Sequence, residues 1–484
     1  MRFPFKGVSL CLLFLAAACA PVSTPPTQAV CGDAVCAEGE THLTCPQDCL
    51  STSVSGRTVV TYLETEGVGR IAVQIAYPPA PRYPDGLGVV VIVSPFLTEI
   101  DGFVNDPDLT SIGLIQVSYL WPGKADSRSG MRSEGQFDYG GDVSLQALRD
   151  VIRFAAGRKT DVSGRSISAL LPVRVAPDEV GLYAFSHAGL AAINVIAVYG
   201  ESLSGLQYLV ANEVPTTDTL ACLEIGHYEA GLPVRNPLYT YPFSYTPTRI
   251  NMDYSSVRWD AAYRHANPDY QGRPYFDLDQ NGIVSAGDYV LGPEVPWMFG
   301  KRYYSIALTK ALWKNNIFSA ETWPTDVATP QEAEQAWQFR QPVERFDEID
   351  RLQKANFKVM LVFADQDHAQ PAADKPHIHQ AFQGFRFIAQ PKTTNLRWVR
   401  LNPDRSYAGL FVSDILKYPD NPANTAPPDW TDLSGWVYPY QSRLLMALAA
   451  VAEMADRAHT GRWEPNLGNA LYPNPVPATP PLTP

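Results

Sequence analysis

The chain has 484 residues, a formal net charge of −12, and 45% hydrophobic and 11% aromatic residues. That is enough globular sequence for one large α/β domain with additions. The acidic balance, with no sustained basic patch, argues against a nucleic-acid partner. Past the N-terminus no apolar run is long enough to span a bilayer.

Met1 to Ala18 sets Arg2 and Lys6 ahead of the apolar run Val8 to Ala18, the pattern of a secretory signal. It closes as Leu15-Ala16-Ala17-Ala18-Cys19, which resembles a bacterial lipoprotein cleavage site. The resemblance implies an exported chain tethered to the membrane surface of the cell envelope through lipid on Cys19, with plain secretion as the alternative. A Pro/Thr-rich linker around Pro21 to Pro26 follows. Cys31, Cys36, Cys45 and Cys49 then crowd into 19 residues. In an exported chain four such cysteines imply two disulfides, with three pairings open. Their run resembles a small cysteine-rich repeat found beside exported bacterial enzymes, and the spacing does not suit the common zinc sites. Cys222 is left single.

Thr58 to Tyr77 alternates as two antiparallel strands. Val89 to Val93 is a β-branched run suited to a strand buried on both faces. Ile112 to Tyr119 reads as a further strand, and Asp142 to Ala156 as a helix with Leu145, Leu148, Ile152 and Ala155 on one face. At Glu179 to Tyr199 an apolar strand stops at Ser186 between the small residues Ala184 and Ala188, and a helical pattern begins. Strands at Leu206 to Ala211, Phe357 to Phe363 and Leu396 to Leu401, and an amphipathic helix at Tyr438 to Arg457, complete the pattern. Strands alternating with helices predict a doubly wound, mostly parallel sheet.

Ala184-Phe185-Ser186-His187-Ala188 is similar to a nucleophile elbow, with alanines in place of both glycines of G-x-S-x-G. An ordinary strand–helix unit with a capping serine is the plainer alternative. With the loop Arg128 to Gly141 and the turn Phe363-Ala364-Asp365-Gln366-Asp367, the chain resembles the α/β-hydrolase fold over roughly Thr58 to Pro215 and Asp350 to Arg462. The resemblance implies Ser186 as nucleophile, Asp367 as acid, and a histidine just past the last strand. That place reads Leu401-Asn402-Pro403-Asp404-Arg405-Ser406-Tyr407, without histidine. His368, next to Asp367, is therefore the candidate base. His187, His227, His265, His377 and His379 are the other candidates, and the absence of any base is the remaining reading. The His187 backbone N–H is one expected oxyanion donor. Since Pro95 has no N–H, Phe96 or Leu97 would be the second.

Between Pro215 and Ile349 lies an insertion rich in aromatics: Tyr239, Tyr241, Phe243, Tyr245, Tyr254, Trp259, Tyr263, Tyr270, Tyr275 and Trp297. These could form a satellite core or an apolar wall over the nucleophile. Within it Asp277, Asp279, Asn281, Gly282 and Asp288 stand at positions 1, 3, 5, 6 and 12 of a loop. The Ile283 carbonyl falls at position 7 and Ser285 at position 9, an oxygen-rich pattern suited to calcium. The loop resembles an EF-hand-like or dockerin-type loop, and Pro274 argues against a full entering helix. A structural calcium ion holding the insertion is the expectation, and an acidic turn the alternative.

The expected organisation is a signal over 1–18, anchor, linker and disulfide-rich module over 19–55, core over 56–215 and 350–465, a cap over 216–349, and a Pro-rich tail over 466–484. The fold class is α/β, an α/β-hydrolase sheet with an inserted cap. The expected activity is ester or amide hydrolysis of a small-molecule or peptide acyl substrate. A catalytically inactive protein that binds a surface polymer or peptide through the aromatic cap is the rival.

Overall fold

The structure, a computed structural model, describes residues 54–55, 57–97, 101–241, 250–265, 268, 270–292, 295–346, 349, 357–387, 398–412 and 420–472. The expected signal, the Cys19 lipid site, the four clustered cysteines and the end of the Pro-rich tail lie outside these residues.

Nine strands form the main sheet: β1 (Val54–Ser55), β2 (Thr58–Thr65), β3 (Gly69–Ala76), β4 (Leu87–Ile92), β5 (Ile115–Tyr119), β6 (Val175–Phe185), β7 (Leu206–Asn212), β15 (Lys358–Val362) and β16 (Val399–Leu401). Among the described residues of the intervening segment the strands are β8 (Gly226–Glu229), β9 (Leu232–Arg235), β10 (Val257–Arg264), β11 (Gln271–Phe276), β12 (Tyr289–Val290), β13 (Trp297–Met298) and β14 (Lys301–Arg302). The order across the main sheet is β1-β2-β3-β5-β4-β6-β7-β15-β16. β1, β2 and β3 pair antiparallel, as does β3 with β5, and the ladders from β5 through β4, β6, β7 and β15 to β16 are parallel. The sheet is thus mixed, with an antiparallel edge on a parallel centre.

Every residue of β4 and β5 is buried, so both faces of the sheet are covered, which is why these segments read as continuous apolar runs rather than alternating ones. The helices Asp142–Ala155 and Ala188–Tyr199 pack against each other, and Arg443–Thr460 packs on β6, β7 and β15. The last helix starts later than its apolar pattern predicted, because Tyr440–Ser442 forms a 3-10 turn ahead of it. Residues 109–112 likewise form a 3-10 turn rather than the start of β5. Among the described residues no helix is long and apolar enough to cross a membrane.

The segment between β7 and β15 has its own apolar cluster, built on Val257, Phe276, Tyr289, Tyr304, Leu308 and Leu312, with Tyr254 and Trp259 packed against it. Of the other aromatic residues noted in the sequence, Tyr239 and Tyr241 pack against two further apolar clusters and Tyr275 is buried. Tyr270 and Trp297 instead line the cavity beside Ser186, and Phe243 and Tyr245 lie outside the described residues. Cys222 is a buried free thiol whose Sγ lies 3.4 Å from the Tyr303 carbonyl oxygen.

Candidate active site

Two neighbouring strands of the sheet end in the same way. β6 delivers Ser186 with φ 53°, and β7 delivers Glu213 with φ 49°. Side chains with a Cβ rarely adopt this left-handed conformation and hold it only where the surroundings impose it. Here the ladder does so: the Ser186 N–H donates to the Asn212 carbonyl at 2.9 Å, and the Glu213 N–H donates to the Val362 carbonyl at 2.9 Å. The helix after Ser186 lies close to the turn after Glu213. A Cβ on Gly189 would stand 2.2 Å from Val214 Cγ1, so glycine is required there for the two strand ends to meet.

His368 comes from the loop after β15. Its Nε2 lies 2.8 Å from Ser186 Oγ, and its Nδ1 lies 2.7 Å from Glu213 Oε2. Glu213, 1% exposed, also accepts the His368 backbone N–H at 3.1 Å. The carboxylate hydrogen-bonded to His368 Nδ1 is thus Glu213, whereas the family resemblance implied Asp367 as the acid. Asp367 Oδ1 lies 3.4 Å from His368 Nδ1 and is already taken by the N–H groups of Ala369 (2.8 Å) and Gln370 (2.7 Å). Asp367 Oδ2 faces His377 Nε2 at 3.0 Å, a contact whose geometry falls short of a hydrogen bond. The order along the chain, serine then acid then histidine, is the same with either carboxylate. The resemblance would place the acid after β15 and the histidine after β16. Here the carboxylate that contacts His368 Nδ1 follows β7 and the histidine that contacts Ser186 follows β15, each one strand nearer Ser186.

Burial works to lower the His368 pKa, but the Glu213 hydrogen bond and the charges of Asp367 and Glu213 outweigh it, and the net direction is upward. The His187 ring is the opposite case. Burial, with His368 adding to it, holds its pKa down to about 3, so it is neutral and cannot collect a proton. That ring packs edge-on against Phe96 at 5.7 Å. The His187 N–H precedes the first turn of the helix and has no intrahelical partner. Phe96 is 1% exposed, and its loop is held by Trp121 Nε1, which donates to the Ser94 carbonyl at 3.1 Å and the Pro95 carbonyl at 3.0 Å. Pro95 and Leu97 line the cavity, and Phe96 is not among its lining residues.

Of the other histidines, His265 and His377 also line the cavity beside Ser186. His227 contacts the Tyr289 hydroxyl at 3.1 Å, and His265 stacks on Tyr270 at 4.7 Å. His379 stacks on Trp430 at 4.1 Å, and burial holds its pKa down to about 4. His459 lies 3.0 Å from Glu179 at the far end of the C-terminal helix.

The cavity over Ser186 measures about 880 Å³. One wall is apolar, from Leu220, Leu223, Val295, Pro296 and Trp297, and another carries Asp367, Gln370 and His377. This is the mixture of apolar lining and few polar groups usual in small-molecule sites.

Away from this cavity, the Asp277–Asp288 loop runs from β11 into β12. Two paired strands therefore frame it rather than two helices, in keeping with Pro274, which disfavours an entering helix. Ligand oxygens of Asp277, Asp279 and Asp288 lie within 4.8 Å of one another. Gln280 and Gly282 take φ of 60° and 77° to make the turn. Asn281 Oδ1 accepts the Ile283 N–H at 2.8 Å, and Ser285 Oγ donates to Asp279 Oδ2 at 3.0 Å. Asp277 is 2% exposed and its buried Oδ1 has no hydrogen-bond partner. A buried carboxylate oxygen left over in a ring of acidic oxygens fits a hard cation.

No protein-family description and no curated protein matches the chain. Among solved structures it is similar to an α/β serine hydrolase without lid from Xanthomonas campestris, at 18% identity and a TM-score of 0.23, over 34% of this chain and 65% of that one. It is similar to prolyl oligopeptidase B from Galerina marginata at 10% identity and a TM-score of 0.35, over 81% and 36%. Dipeptidyl peptidase 4 from Porphyromonas gingivalis follows at 8% and 0.31, over 70% and 31%. The chain spans less than two thirds of the length of each. At these scores the reading of the site rests on its own geometry.

Proposed function

We propose that the chain is an exported serine hydrolase of the α/β-hydrolase fold that cleaves an ester or amide bond through a Ser186 acyl-enzyme. The observation that carries this reading is the contact of Ser186 Oγ with His368 Nε2 at 2.8 Å, with Glu213 behind it at 2.7 Å. A serine hydroxyl is a weak nucleophile until a base takes its proton. In the proposed sequence His368 Nε2 accepts that proton as Oγ bonds to the carbonyl carbon. Glu213 holds Nδ1–H and faces the positive charge that develops on the ring. The N–H groups of His187 and Leu97 would receive the oxyanion, each donor contributing about 3 kcal/mol by comparison with similar sites. His368 then returns its proton to the leaving alcohol or amine, and water repeats the sequence to free the acid.

The Asp277 loop is proposed to hold one structural calcium ion, with Asp277, Asp279, Asn281, the Ile283 carbonyl and Asp288 as ligands and Ser285 acting through water. The ion would supply rigidity to the segment that carries Tyr289 and Trp297. Disulfides among Cys31, Cys36, Cys45 and Cys49, and lipid on Cys19 at the membrane surface, complete the proposal for an envelope or secreted enzyme.

Labelling with a fluorophosphonate probe tests the core of it. Wild type should be labelled and hydrolyse a p-nitrophenyl ester, and Ser186→Ala should do neither. A folded wild type that takes no label would leave the polymer- or peptide-binding protein as the better account.

A further inference from the structure

Asp367 is one of the most thoroughly buried acids of the site, at 4% exposure, yet it is not the carboxylate that orients His368. Burial alone would push such a group toward its neutral form. It is instead held well below the usual carboxylate range, because His377, then His368 and Lys375, outweigh burial. The carboxylate bridges two imidazoles, with Oδ1 3.4 Å from His368 Nδ1 and Oδ2 3.0 Å from His377 Nε2. His377 is 2% exposed, and neither of its ring nitrogens has a hydrogen-bond partner. A ring buried beside one carboxylate and bonded to nothing else calls for an explanation.

We propose, resting on the Ser186 hydrolase reading, that Asp367 is a positioning residue whose charge stabilises the imidazolium that His368 becomes, and that His377 is the partner that keeps Asp367 ionised in its burial. Glu213 accepts the hydrogen bond and Asp367 brings a second negative charge to the same ring nitrogen. The other charged and titratable groups around this pair are Arg443 at the start of the C-terminal helix, which opposes a positive His368, and Lys375 from the Asp367 loop. His187 of the elbow adjoins His368, and Asp365 and Asp374 act on Lys375. Tyr228 of β8 and Tyr438 both sense Asp367 and Glu213. The net balance on the His368 ring favours its charged form, as a base that must stabilise a transient cation requires.

The test is the pH profile of kcat/KM on a p-nitrophenyl ester for wild type, Asp367→Asn, His377→Gln and Glu213→Gln. Asp367→Asn should stay labelled by the fluorophosphonate and keep KM within about twofold. Its acid limb should move to lower pH by about one unit and its kcat should fall about tenfold, since one unit corresponds to a factor of ten. His377→Gln should move the limb the same way by less, and it carries the test if Asp367→Asn does not fold. An acid limb left where the wild type has it, with kcat unchanged, would sink the proposal. So would Asp367→Asn abolishing turnover while Glu213→Gln retains it, because Asp367 would then be the orienting acid. A folded wild type without label or turnover would sink the hydrolase reading itself, and this proposal with it.

Discussion

Glu213 Oε2 lies 2.7 Å from His368 Nδ1; Glu213 directly follows β7, and His368 sits on the loop after the adjacent parallel strand β15. A carboxylate at that nitrogen sets the tautomer, leaving Nε2 free to accept from Ser186. Glu213→Gln keeps the shape and removes the charge. It should lower kcat by roughly 10³–10⁴-fold with little change in KM, by analogy with the amide substitution in a serine protease triad. Steady-state kinetics on a chromogenic ester would check this, and a fall of less than tenfold would remove Glu213 from the acid role.

The raised His368 pKa has a definite sign in the rate profile. A base must be neutral to accept a proton, so kcat/KM should rise with pH through an apparent pKa above the ordinary imidazole value of 6.5. The free-enzyme profile between pH 5 and pH 9 measures it. An acid limb centred below 6.5 would contradict the balance of charges around the ring.

Calcium should act on stability before it acts on turnover. Binding to the folded state alone adds about 2.7 kcal/mol at a hundredfold excess over Kd. Thermal melts with calcium and with a chelator should therefore differ by several degrees in wild type and coincide in Asp277→Asn. Equal melts in wild type would leave the loop as an acidic turn.

Glu224 makes a separate prediction about pH and stability. It is fully buried and bonded to Ser305 and Tyr254. Burial, with nearby Asp218 adding to it, pushes its pKa up to about 8 from 4.5. The folded state therefore holds a proton that the unfolded chain has lost, so stability from this group is full below 4.5 and is lost as pH rises through about 8. The Tm of Glu224→Gln relative to wild type should rise between pH 5 and pH 9. A difference that stays constant with pH would show that Glu224 does not titrate differently on folding.

Gly189 links packing to the site. A methyl there would meet Val214 Cγ1 at 2.2 Å, and such overpacking typically costs about 1–3 kcal/mol. Gly189→Ala should lower both the urea midpoint and kcat, because the displaced turn carries Glu213. Loss of stability with kcat intact would mean that the elbow helix and the Glu213 turn move independently.

The main-sheet strands from β2 onward, the elbow pattern and the calcium-loop pattern could be read from local sequence, because each is set by spacing along one segment. The short strands β8 to β14 were not placed that way. Val89 to Val93 announces a strand buried on both faces, and Ser186 between Ala184 and Ala188 announces a sharp turn. His368 could be singled out only as a neighbour of Asp367 on a loop past a strand. Glu213 was missed although a signal existed: it stands just past the apolar run Leu206 to Ala211, as Ser186 stands just past its own strand. Nothing in the sequence ranks it above Asp367, since both are acids just beyond a strand. That choice belongs to the tertiary structure, which brings the ends of β6, β7 and β15 side by side. Asp367 Oδ1 is occupied by two backbone N–H groups of its own loop, and Oδ2 faces His377. Among the described residues it is Glu213 that places a carboxylate oxygen within hydrogen-bond distance of His368 Nδ1, because strand register rather than sequence distance decides which carboxylate arrives there.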